Sequence, residues 1–306
     1  MIAAHQVWTT LPTADEITVH LSEQNASSLL LIAADGYESW LTEPNKADIR
    51  KLSGLDPLAS QWLNQLNASP GAVRIATSGN YSDSELRLLY AMISRSLGWL
   101  NNRYTYFFDV MDRRLDYTKE AIPVSKTKAE TGYHTDSTAK LYYPDIVGLL
   151  CLQPAKSGGE SLIANAANLI NAILDNHPEY NEILHQPWCR DVITPGTIHN
   201  TEAILANDIP LFQYDSEGGV IFRYMRYWIE SALIKLGKEV PSSLTVALDS
   251  IDDYFAAPEH AMSFRLERGD MLYVNNRFLC HNRTAFEDGE HPRTYVRAWI
   301  NREVQD

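Results

Sequence analysis

Tyr133-His134-Thr135-Asp136, joined nearly half the chain later by His281 in the run Asn275-Asn276-Arg277-Phe278-Leu279-Cys280-His281-Asn282-Arg283, is the stretch from which the rest of the sequence can be read. On an extended strand, residues i and i+2 point to the same side. His134 and Asp136 can therefore grip one ion while Thr135 faces away. The third ligand has to arrive from elsewhere in the chain. Met271-Leu272-Tyr273-Val274 is a short apolar run after Gly269-Asp270, which reads as a turn feeding a buried strand, and His281 is expected just past the end of that strand. Two imidazoles and one carboxylate occupy one face of a six-coordinate ferrous ion and leave the opposite face open for an oxidant and a co-substrate. An isolated His-x-Asp is a weak motif in a chain with nine histidines.

The C-terminal run strengthens it. Arg293 and Arg297 are four apart in Arg293-Thr294-Tyr295-Val296-Arg297-Ala298-Trp299-Ile300, so on a strand both project to one face. An inward-facing guanidinium is costly unless an anion meets it. A dicarboxylate bound beside the metal would supply that anion, because the guanidinium fork matches a carboxylate in a bidentate way. Two arginines on a solvated strand face are the alternative reading.

Five blocks in fixed order carry a resemblance to a known family: Tyr133 to Asp136, Ser157-Gly158-Gly159-Glu160-Ser161-Leu162, Gly269 to Asn276, His281-Asn282-Arg283-Thr284-Ala285-Phe286-Glu287-Asp288, and Arg293 to Trp299. Over roughly residues 100 to 302 the chain resembles the taurine dioxygenase and clavaminate synthase-like group of Fe(II)/2-oxoglutarate oxygenases. The resemblance implies that His134, Asp136 and His281 are the iron ligands and that no further side chain acts directly in the chemistry. It implies that Arg293 binds the distal carboxylate of 2-oxoglutarate, with Ser161 where the family often has a threonine hydroxyl. Arg297 matches a second arginine that lies near the co-substrate or the prime substrate in relatives. The implied reaction uses dioxygen, releases succinate and carbon dioxide, and hydroxylates an unactivated carbon. Desaturation, epoxidation and cyclisation are the other outcomes the family offers. Asp136 argues against halogenation, for which relatives replace the carboxylate with a small residue.

Composition agrees. The chain has 306 residues, 45% of them hydrophobic, which is ample for a core, and no linker, repeat or low-complexity run divides it. One domain over residues 1–306 is expected. With 26 basic against 39 acidic residues, the formal charge of −13 argues against nucleic acid or an anionic membrane as a partner. Cys151, Cys189 and Cys280 follow no disulfide or metal spacing, and the N-terminal residues lack a basic region leading into an apolar one. A soluble, cytoplasmic protein with reduced thiols is expected.

The expected class is α+β with a mainly β core: a helical part over about 1–100, then a double-stranded β-helix (jelly roll) over about 101–306 with a helical insert near 226–257. Asp56 is expected to cap a helix over 57–66 with Pro57 at its first position, and Ser82-Asp83-Ser84-Glu85 starts a longer helix to residue 100. Strands are expected at 104–110, 146–152, 161–163, 262–266, 271–274 and 294–300, with a helix over 166–174. A hairpin joins 211–214 to 220–224 through Asp215-Ser216-Glu217-Gly218-Gly219, and helices follow over 228–236 and 244–255. Between the hairpin and the first of these helices, Arg223 and Arg226 are candidates to fix a substrate carboxylate. Tyr133, Tyr142, Tyr143 and His199 are candidates to line the pocket. Free or carrier-linked amino acids and similar small polar metabolites suit such a site. A zinc hydrolase or a non-catalytic jelly-roll sensor could use the same three ligands. The hydrolase would need a general base that the sequence does not announce.

Overall fold

Alternation along three central strands organises the molecule. In the computed structural model, residues 3–34, 36–114, 124–137, 139, 141, 143–191 and 200–303 are described. Along the N-terminal third run β1 (Thr18–Leu21), α1 (Glu23–Ala34), α2 (Tyr37–Thr42), α3 (Asp56–Asn67), β2 (Ala72–Thr77), α4 (Asp83–Leu97) and β3 (Trp99–Leu100). The middle holds β4 (Phe108–Val110), β5 (Ile146–Gln153), β6 (Ser161–Asn165), α5 (Ala166–Asn176), β7 (Phe212–Tyr214) and β8 (Val220–Phe222). The C-terminal part comprises α6 (Arg226–Lys235), α7 (Ser242–Ala256), β9 (Ala261–Phe264), β10 (Met271–Asn275), β11 (Leu279–Arg283) and β12 (Thr294–Asn301).

The principal sheet has the order β1-β2-β10-β5-β12-β3, with β4 also pairing with β12. Every pairing is antiparallel except that of β1 with β2. A second antiparallel sheet, β9-β6-β11, is built from the returning segments. Side chains of the principal sheet segregate by parity. Leu150, Leu152, Met271, Tyr273, Val296, Ala298 and Ile300 pack into one buried cluster with α1 to α4. Cys151, Leu272, Val274 and Tyr295 belong to the other cluster, which also takes in β6, β8, α5 and α7. Burial on both faces explains why β5 and β10 read as nearly continuous apolar runs.

The observed class is α+β. The helix from Ser82 has the expected cap: Ser82 accepts from Glu85 N–H, and the Glu85 side chain accepts from Ser82 N–H. The expectation for Asp56 is corrected. Asp56 is the first residue inside α3, and Leu55 occupies the cap position. The chain already turns in the 3-10 segment Ile49–Leu55, whose own cap is Asp48. Residues 1–100 are also not helical throughout, since they supply β1 and β2 to the principal sheet. Around residue 104 the expected strand shortens to Phe108–Val110, where pairing with β12 begins. His281 lies past the end of β10, as expected, but in the middle of a further strand, β11, because the chain turns at 276–278 and pairs again with β6. His199 and Tyr142 lie outside the described residues.

Before β10, Gly269 turns with φ +89° and Asp270 is buried against Arg74 of β2, whose Nη2 and Nε donate to Asp270 Oδ2 at 2.6 and 3.0 Å. Removing the cation leaves a buried carboxylate without its partner. Arg74→Ala should therefore destabilise the fold by on the order of 3 kcal/mol, read as a lower urea midpoint. An unchanged midpoint would show that this pair does not tie β2 to the centre of the sheet.

Candidate metal centre and its cavity

The first two candidate ligands are held by their backbone. His134 N–H donates to the His281 carbonyl at 3.0 Å, and His281 N–H returns the bond at 2.9 Å, so the two histidines face each other across one antiparallel bridge. This is a single bridge, shorter than the extended strand the sequence suggested for His134. Thr135 faces the other way, as the two-residue period requires. Its N–H donates to the Tyr224 carbonyl at 2.9 Å, and its hydroxyl accepts from Tyr224 N–H at 3.0 Å. Asn276 brackets the Asp136 peptide: its Oδ1 accepts from Asp136 N–H at 2.7 Å, and its Nδ2 reaches the carbonyls of Asp136 and Pro144 at 2.9 and 3.0 Å.

These constraints bring Nε2 of His134 and Nε2 of His281 to 3.5 and 3.6 Å from Asp136 Oδ1. One ligand atom from each residue lies within 4.8 Å of the others. Adjacent donors around one small divalent ion sit roughly 3 Å apart, so the set fits such an ion with a small contraction. Nδ1 of His134 lies 2.8 Å from the Gly132 carbonyl. A carbonyl only accepts, so the proton sits on Nδ1 and the lone pair of Nε2 is left for a metal. Burial, reinforced by the neighbouring His134, pushes the His281 imidazole below its ordinary pKa and keeps it neutral. For Asp136 burial alone would raise the carboxyl. The Arg297 charge and the two imidazoles outweigh it and hold the group well below the usual carboxylate range. The donor set is thus two imidazole nitrogens and one carboxylate oxygen.

A cavity of about 670 Å³, counting its mouth, opens beside the histidines between the two sheets. Its walls include Val147, Leu149, Leu272 and Val274, and Ser161, Arg293 and Arg297 also line it. Arg293 is 3% exposed, and its Nε and Nη1 have no hydrogen-bond partner among the described residues. Its guanidinium lies 3.7 Å from the Tyr295 ring centroid, and burial lowers its pKa. Gly159, at φ +73°, leaves room for it, since a Cβ there would come within 3.3 Å of Arg293 Nε. Arg297 differs. Its Nη1 lies 3.1 and 3.3 Å from the two oxygens of Asp136. Arg283 also borders the cavity, but it spends its donors on the carbonyls of Thr127, Ala129 and Ser125. Burial, then the nearby Arg293 charge, pushes it down to about 9.

The structure does not bring the three proposed substrate residues to this lining. Arg223 is buried with Nη1 on the Ala139 carbonyl at 2.6 Å and its guanidinium 3.1 Å from the Tyr143 ring centroid. Arg226 is held by Glu230, Asp249 and Asp252 at 2.7, 2.7 and 2.9 Å, three carboxylates of α6 and α7 that satisfy it away from the cavity. Tyr133 alternates with His134, so its ring turns into the core against Phe255, with centroids 5.2 Å apart. Sequence reasoning missed Asn276 and Trp299. Trp299 donates from Nε1 to Asp136 Oδ2 at 2.7 Å. Its place two residues after Arg297 was the available signal, and for Asn276 it was membership of the Gly269 to Asn276 block, which carried no hint of a contact with Asp136.

A family model described as taurine catabolism dioxygenase TauD, TfdA family, matches residues 35–299. The chain is 32% identical over 200 residues to FR-33289 synthase of Streptomyces rubellomurinus, covering 61% of this chain and 55% of that protein. It is 22% identical over 243 residues to gamma-butyrobetaine dioxygenase of Homo sapiens, covering 79% and 59%. The chain spans a little over half the length of these curated relatives. A solved structure of asparagine oxygenase in complex with Fe(II), 2S,3S-3-hydroxyasparagine and succinate superposes with a TM-score of 0.68 at 18% identity over 93% of each chain. OrfP in complex with Fe and alpha-ketoglutaric acid does so with a TM-score of 0.65 at 15% identity over 94% of each. At these identities the likeness establishes the fold.

Asn276→Leu would leave the Asp136 N–H and two carbonyls unpaired. It should destabilise the protein by on the order of 3 kcal/mol in chemical unfolding. A loss below about 0.5 kcal/mol would show that solvent replaces Asn276 at the Asp136 turn.

Proposed function

The chain belongs to the TauD/TfdA family of dioxygenases, and on that premise we propose that it is an Fe(II)- and 2-oxoglutarate-dependent hydroxylase of a small polar metabolite. His134, Asp136 and His281 hold the iron, and Arg293 with Ser161 receives the distal carboxylate of 2-oxoglutarate. The observation that carries this reading is the buried Arg293 guanidinium, two of whose nitrogens lack partners among the described residues, in the cavity that His134 and His281 also line. A buried cation of this kind calls for an anion, and a bidentate carboxylate fits its fork. The donor set fits the metal, since two imidazoles and a carboxylate leave half of a six-coordinate shell open. Arg297, engaged by Asp136, is the lesser candidate for the distal carboxylate.

When bound, iron and 2-oxoglutarate supply the oxidation: dioxygen is consumed, 2-oxoglutarate leaves as succinate and carbon dioxide, and a hydroxyl group is placed on an unactivated carbon. The protein's part is placement and exclusion. Val147, Leu149, Leu272 and Val274 give the cavity apolar walls that keep bulk water from the reacting centre and strengthen the charge contacts inside it. Arg226 is committed to three carboxylates and Arg223, of which only Nε is unpaired among the described residues, lies outside the cavity lining, so selection of the substrate falls to groups at the cavity mouth. An amino acid, free or linked to a carrier, is the substrate class we favour. The bound 3-hydroxyasparagine in asparagine oxygenase and the bound L-Arg in OrfP support it.

We also read the two sheets as the halves of a double-stranded β-helix and residues 1–306 as one domain, with α6 and α7 as its helical insert. The free cysteines suit a cytoplasmic protein, and no helix among the described residues is long and apolar enough to cross a membrane. A zinc hydrolase would leave Arg293 without a counter-ion, and a protein that had lost turnover would have no need to keep all three metal ligands together.

Anaerobic titration of apo-protein with Fe(II) and then 2-oxoglutarate should produce a weak visible charge-transfer band, which Asp136→Ala should abolish. Arg293→Ala should retain the band but raise the 2-oxoglutarate needed by roughly 30-fold, about 2 kcal/mol for a charge-assisted pair. A folded wild-type protein that gives no band would sink the proposal. An unaltered 2-oxoglutarate requirement in the arginine variant would move the anion site elsewhere.

A further inference from the structure

The two oxygens of Asp136 have different surroundings. Oδ1 faces the Nε2 atoms of His134 and His281 at 3.5 and 3.6 Å. Oδ2 accepts the indole N–H of Trp299 at 2.7 Å, and Arg297 Nη1 lies 3.1 Å away. Arg297 cannot by itself set the difference, since the same Nη1 is also 3.3 Å from Oδ1. The indole is the donor that chooses one oxygen.

We infer that Trp299 is a positioning residue of the metal centre: its N–H occupies Oδ2, so that Asp136 offers the metal Oδ1 alone. This rests on the iron reading given above and adds to it the coordination mode of the carboxylate. A free carboxylate can bind one ion through both oxygens and would then fill a fourth position. A site meant to admit a two-point chelating co-substrate and dioxygen together with three protein ligands has no position to spare. Trp is suited to the task because its ring nitrogen only donates and is uncharged, so it can neither ligate the metal nor add a cation beside it. The bond is charge-assisted and short. The geometry is also rigid. Trp299 lies in β12, paired with Val147 of β5, and its carbonyl accepts from Asn101 N–H at 2.8 Å. Its ring is flanked by the Arg297 guanidinium at 5.3 Å and by the edge of Tyr104 at 5.9 Å. A ligand-orienting bond carried on a central strand holds its direction better than one carried on a loop.

Co(II) reports both affinity and geometry without turnover. Apo-protein of the wild type, Trp299→Phe and Asp136→Ala would be titrated with Co(II), following heat and d–d absorption. Trp299→Phe is expected to bind about 10- to 100-fold more weakly than wild type, with a d–d spectrum altered by the second carboxylate oxygen. Wild-type affinity together with a wild-type spectrum in Trp299→Phe would overturn the inference while leaving the metal site standing. If wild type binds no better than Asp136→Ala, the metal reading itself fails and the inference falls with it. Should Trp299→Phe not fold, the metal-bound minus apo infrared spectrum of the wild type decides the matter. A wide splitting of the carboxylate stretches supports one-oxygen binding, and the narrow splitting of a chelating carboxylate overturns it.

Discussion

Two reciprocal main-chain hydrogen bonds between His134 and His281 hold the site together. They are ordinary in strength, each contributing about 1 kcal/mol net, but they join segments from distant parts of the sequence in a defined register. Side chains alternate along an extended chain, so fixing that one bridge decides which way His134, Asp136 and His281 point. The surrounding bonds preserve that decision. Tyr224 pairs with the Thr135 N–H and hydroxyl, Asn276 brackets the Asp136 peptide, and the pairing of β11 with β6 fixes His281.

Charge inside the cavity runs against the charge of the whole molecule. The chain carries a formal −13, yet Arg283, Arg293 and Arg297 gather at one cavity. Their different partners separate their roles. Arg283 satisfies main-chain carbonyls and so fixes the 125–129 segment. Arg297 neutralises Asp136. Among the described residues Arg283 leaves only Nε unpaired, whereas Arg293 leaves both Nε and Nη1 without partners and rests on the Phe286 and Tyr295 rings, a soft, uncharged rest for a cation that leaves its fork open to an anion.

Much of this was legible where a local rule coincided with the tertiary result. The Ser82–Glu85 cap, the apolar runs of β5 and β10, the hairpin around Asp215 and the His134/Asp136 alternation each follow from a period or a turn preference. Legibility failed where long-range packing decided. Thr18–Leu21 is a strand because β2 lies beside it, and its four residues carry too little pattern to announce that. Leu279–Arg283 is buried on both sides despite its polar residues, so no alternation marks His281 as mid-strand. Arg226 looked available until α7 brought Asp249 and Asp252 to it. No feature of Asn276 reveals that it will meet a turn formed by residues far before it.

The parity of β12 bears on how such a protein can change over generations. Val296, Ala298 and Ile300 meet the helical layer, while Tyr295, Arg297 and Trp299, like Arg293 just before the strand, face the cavity or Asp136. Substitution on the helix side can drift with the packing of α1 to α4 and leave the cavity side untouched. Insertion or deletion of a single residue has no such freedom, because it would exchange the two sets at once. The strand should therefore record its history as changes of letter and almost never as changes of length.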